Sequence, residues 1–93
     1  MEIKDYHVEK LEDPTGILVG DRYEFILDID VDEDDELYSD NGLYIKLIMA
    51  VDKETTRIVQ YQIYERTTDI YLDFALDEEE EEMILEFCKE KIV

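Results

Sequence analysis

The sequence predicts an α+β fold: an antiparallel β-meander of about five strands with one C-terminal helix packed on one face. Three observations carry this. Apolar residues alternate with polar ones over most of the first 76 positions, the strand period. Turn dipeptides interrupt that alternation at short intervals. The period then changes to that of a helix after Asp77. Strands followed by a single helix are the pattern of a sheet with a helix laid across it.

Each element follows in order. Residues 2–12 form the first strand, ended by Asp13-Pro14-Thr15-Gly16, where proline presets φ and glycine tolerates positive φ. Gly20-Asp21 marks a second tight turn or a bulge. From Arg22 the alternation is clean: Tyr23, Phe25, Leu27, Ile29 and Val31 point one way, Arg22, Glu24, Asp28 and Asp30 the other. An acidic segment follows and closes on the turn dipeptide Asn41-Gly42. "LYIKLIMAV", residues 43–51, is apolar on both faces and belongs in the middle of the sheet. After a polar loop at 52–56, residues 57–66 and 68–76 read as two more strands joined near Thr67-Thr68. The expected core face carries Phe25, Leu27, Ile29, Leu43, Ile45, Leu47, Met49, Val59, Tyr61, Ile63, Ile70, Leu72 and Phe74.

The helix has its own signals. Asp77 is a candidate N-cap, and Glu80 three residues later completes a capping box. Glu78 to Glu82 complement the positive end of the helix dipole, with Lys89 and Lys91 at the negative end. The acidic run therefore has a local explanation. Ile84, Phe87 and Cys88 make an apolar stripe, widened by Met83, Leu85 and Ile92.

Composition narrows the function. Ninety-three residues bound one domain, 1–93. A net charge of -19 argues against nucleic acid and anionic membrane surfaces as partners, and leaves a basic protein or a cation. Hydrophobic content of 45% supports a packed core despite that charge. Cys88 is the single cysteine, so no intrachain disulfide forms. The N-terminus lacks the apolar stretch of a signal peptide, and no apolar run reaches the roughly 20 residues of a membrane helix. The expected location is the cytoplasm.

"DIDVDEDDELYSDNG", residues 28–42, holds eight carboxylates and no cation. A calcium loop needs ligands at positions 1, 3 and 5, glycine at 6 and glutamate at 12. Counting from Asp30 gives Asp30, Asp32 and Asp34, but then Asp35 at position 6 and Asn41 at position 12. Counting from Asp28 puts Glu33 and Ser39 there. The segment reads as a solvated loop whose charge discourages strand-edge aggregation. Binding of a divalent cation or small ligand through residues 28–40, with Asp30, Asp32 and Asp34 as ligands, is the alternative.

No catalytic set emerges. His7 is the single histidine, and Cys88 sits on a helix face expected to be buried. The three glycines are scattered, without a phosphate-loop spacing. The expectation is a protein that is not an enzyme and carries no cofactor. The seven tyrosines say more. Alternation places Tyr44, Tyr64 and Tyr71 on the face opposite the core, with Lys46, Ile48, Ile58, Gln60, Gln62, Arg66 and Asp73. Amphipathic aromatics with arginine are favoured at protein interfaces. The competing reading is cross-strand packing that shields an open sheet. The candidate interaction face is Tyr44, Lys46, Tyr64, Arg66 and Tyr71, serving a protein partner or self-association as a homodimer.

The stretches "DPTGILVG", "RYEFILDI", "DDELYSDNGLYIKL" and "YLDFALDEEEE" resemble a family of small acidic proteins of unknown function from Gram-positive bacteria. The resemblance implies a bacterial cytoplasmic protein and brings no catalytic residues with it.

Overall fold

A computed structural model of the chain describes residues 2–11, 20–34, 38, 40, 42–52 and 55–92. The strands are β1 (Glu2–Leu11), β2 (Asp21–Asp30), β3 (Leu43–Val51), β4 (Thr56–Glu65) and β5 (Tyr71–Leu72), followed by the helix α1 (Glu78–Ile92). All neighbours are antiparallel and the sheet order is the chain order, β1-β2-β3-β4-β5. This is the expected meander with one C-terminal helix. The first turn signal, 13–16, lies outside the described residues.

The two-residue period decides which side chains are buried. Register aligns Phe25 with Leu47, Leu27 with Ile45 and Ile29 with Leu43, so β2 and β3 present one continuous apolar face. Ile63 on β4 joins it opposite Ile45. Helix α1 covers this face with Ile84 and Cys88, both without solvent exposure. Partly buried Leu85, Phe87 and Ile92 flank them, while Met83 stays exposed at the margin of the stripe. Each fully buried aliphatic or aromatic side chain contributes about 1.5–3 kcal/mol of transfer free energy. The helix crosses the sheet from β4 to β1: Leu76, just before it, donates its N–H to the Tyr61 hydroxyl, and Phe87 near its end meets Tyr6 edge-on at 5.6 Å. Leu76 is itself buried, a core residue absent from the expected list.

The capping box forms as the sequence requires. The Glu80 N–H donates to Asp77 Oδ1 at 2.8 Å, and the Asp77 N–H donates back to Glu80 Oε1 at 3.2 Å. Gly20, at the start of β2, has φ of +77°, and a Cβ there would stand 2.4 Å from the Val51 carbonyl oxygen, so both conformation and space require glycine.

Three expectations about the β4–β5 region need correction. Between Ile48 and Met49 the register shifts: Ile48 faces Gln60, but Met49 faces Ile58, leaving Val59 as an extra residue in a bulge. The bulge reverses the alternation, so Ile58 packs against the core and Val59 is 44% exposed. Second, residues 68–76 were expected as a strand, and only Tyr71–Leu72 pairs. Asp69 adopts a left-handed conformation, φ 57°, in a turn where its N–H bonds to the Glu65 carbonyl. Beyond Leu72 the Phe74 N–H turns back onto the Leu72 carbonyl, which takes the chain out of the ladder. Third, and as a consequence, Ile70 (56% exposed) and Phe74 (41%) lie outside the core. Among the described residues, no helix is long and apolar enough to cross a membrane.

Candidate functional site

Among the described residues, no helix lies on the face opposite α1. Register assembles its central row from Asp28, Tyr44, Tyr64 and Tyr71 on β2, β3, β4 and β5. Their side chains form a ladder. The Tyr44 and Tyr64 rings stack at 5.2 Å with 16° between planes, and Tyr64 meets Tyr71 at 5.9 Å and 62°. Such pairs contribute roughly 0.5–1.5 kcal/mol each beyond burial. Arg66, in the turn after β4, lies over the Tyr44 ring at 5.9 Å and pairs with the Asp28 carboxylate. The turn is fixed from the backbone as well: the Arg66 N–H donates to the Gly42 carbonyl at 2.9 Å.

The hydroxyls are oriented. Tyr44 donates to Asp69 Oδ1 and Tyr64 to Gln62 Oε1, both at 2.8 Å. The bond to Asp69 pushes the Tyr44 phenol above its ordinary range, because losing the proton sets an anion beside a carboxylate; desolvation adds to this. Lys46 occupies the next row, opposite Ile26 and Gln62, with Glu24 at 4.0 Å. The structure thus joins Tyr44, Tyr64, Arg66 and Tyr71 in direct contact and places Lys46 one row away. Asp28 and Asp69 orient Arg66 and Tyr44. Alternation places Asp28 on this face but does not join it to the tyrosine set, and Asp69 depends on a turn that alternation does not encode. Ile58, expected on this face, is on the other because of the bulge.

Beside the ladder, a shallow hollow of about 230 Å³ is bounded by Asp5, His7, Ile26, Asp28 and Arg66. His7 is exposed there, while Cys88 is buried beneath the helix, so the sheet stands between the single histidine and the single cysteine. Burial pushes the Cys88 thiol up to about 12, away from a reactive thiolate.

Asp30, Asp32 and Asp34 are exposed. Among the described residues, no group of three or more His, Cys, Asp or Glu side chains is placed to hold a metal ion. Residues 35–37, 39 and 41 lie outside the described residues. Tyr38 donates to Asp40 at 2.8 Å, a local bond that raises the Tyr38 phenol pKa.

Comparison with curated proteins and with solved structures found no match. The family comparison did: residues 1–93 match the Family of unknown function (DUF6509), and the chain belongs to that family.

Proposed function

We propose that this chain is a non-enzymatic protein-interaction module of the bacterial cytoplasm that works through the open face of its sheet, and that its first partner is a second copy of itself. The tyrosine ladder carries the reading. Three aromatic rings in a row, Tyr64 touching both Tyr44 and Tyr71, with Arg66 over the Tyr44 ring, form an amphipathic patch of the composition that interface centres favour. Tyr71 is exposed and Tyr44 and Tyr64 are half-buried, so the patch has area left to bury. Arg22, Lys46 and Arg66, three of the chain's nine cations, share this face with Glu24 and Asp28, so two copies meet mixed charge rather than uniform negative charge.

Sedimentation equilibrium at micromolar concentration tests it. A concentration-dependent dimer is expected, and Tyr64→Glu or Tyr71→Glu separates it by placing a carboxylate against the partner's tyrosines. A monomer at every concentration rejects self-association.

A further inference from the structure

The opposite end of the sheet carries a second surface, formed where β5 stops short. β5 pairs only with Ile63 and Tyr64, so among the described residues the outer edge of β4 from Thr56 to Gln62 has no partner strand. An unpaired edge presents a row of N–H and C=O groups that accept another strand. Beside it, between β4 and the first turns of α1, runs a groove of about 600 Å³. Ile58, Val59 and Leu85 give it an apolar floor, and Glu78, Glu81 and Glu82 an acidic rim.

We propose that this edge and groove take an extended basic segment of another protein, added to β4 as a further strand. Hydrogen bonds to the β4 backbone supply the attachment. The groove supplies the selectivity. Lysine and arginine have apolar stems with a charged tip, so one side chain can cover Val59 or Leu85 and reach a rim carboxylate. A second copy of this chain is disfavoured at the same edge. A two-fold contact there brings each copy's Glu78, Glu81 and Glu82 toward the other's, between molecules of net charge -19. Arg57 is the one lining cation among the described residues, and it favours an acidic residue in the part of the segment that passes beside it. The bulge at Val59 interrupts the ladder, so the added strand is short. This surface is separate from the tyrosine face, and neither reading depends on the other.

The test uses a short peptide alternating arginine with valine, blocked at both ends, titrated into the ¹⁵N-labelled chain. Amide shifts are expected along Thr56–Gln62 and Glu78–Leu85. Methylation of alternate peptide nitrogens weakens binding by about tenfold or more, through lost backbone hydrogen bonds. Glu81→Gln with Glu82→Gln weakens it by a similar factor, and Val59→Lys does so with an unchanged circular dichroism spectrum. Three results overturn the proposal. One is equal binding of methylated and unmethylated peptide, which is plain polyelectrolyte attraction. Another is shifts centred on residues 28–34. The third is movement of the Thr56–Gln62 amides with protein concentration alone in Tyr64→Glu, whose tyrosine face no longer self-associates, which places a second copy on the edge.

Discussion

Cys88 shows how much one position reports about the fold. It has no solvent exposure, and burial in apolar surroundings holds its thiol protonated to about pH 12, against an ordinary value of 9.0. In the unfolded chain the thiol ionises near that ordinary value. Between the two pH values the folded state binds more protons, so stability falls as pH rises, by at most about 1.4 kcal/mol per pH unit from this group. Below pH 9 the thiol adds no slope. Denaturant melts of the wild type and Cys88→Ala are therefore expected to diverge in pH dependence only on the alkaline side. A thiol reagent at neutral pH is expected to label the native protein slowly and the denatured protein fast. Rapid native labelling means that α1 leaves the sheet readily.

The helix as an element depends on its first turn. Its N-terminal half carries five consecutive glutamates, Glu78 to Glu82, whose mutual repulsion opposes helix formation while their interaction with the dipole favours it. The reciprocal Asp77–Glu80 bonds fix where the helix starts. Asp77→Ala is expected to cost about 1 kcal/mol, and Asp77→Asn much less, because asparagine also caps well. In a domain of this size that is a fall in Tm of about 4–8 °C for alanine. Equal losses for the two variants mean that charge rather than the cap bond is what matters. This start was legible in the sequence because a capping box is local. The β4 bulge was not. Ile58 and Val59 are adjacent apolar residues, either of which suits the core face, and only the fit of β4 against Met49 and Ile48 selects between them. The same holds for β5. Ile70, Leu72 and Phe74 alternate as a strand does, but pairing ends after Leu72 because the Asp69 turn and the Phe74–Leu72 reversal remove the chain from the ladder. The open face depends on alternation upstream and downstream of the bulge, so Tyr44, Tyr64 and Tyr71 were legible. The β4 groove depends on the bulge and on the short β5, so it was not.

At the scale of the whole molecule, charge sets the response to salt. Nineteen net negative charges repel one another more strongly in the folded chain, where they are closer, than in the extended one. At ~0.15 M salt the screening length is ~8 Å, so neighbouring carboxylates still interact, and added sodium chloride is expected to raise Tm steadily. Calcium and magnesium bring two charges each and are expected to stabilise more per unit ionic strength. Their effects distinguish a solvated acidic surface from a site. Asp30, Asp32 and Asp34 are exposed, and the described residues include no metal-holding group, so the calcium effect is expected to be shallow, unsaturated below millimolar concentration and matched by magnesium. Asp32→Asn and Asp34→Asn should then raise Tm slightly in low salt, by removing repulsion, and leave the difference between the two ions unchanged. A saturable micromolar calcium effect, absent with magnesium and abolished by those substitutions, is the one pattern that repulsion and screening cannot produce, because screening depends on ion charge and concentration and not on which divalent ion carries the charge.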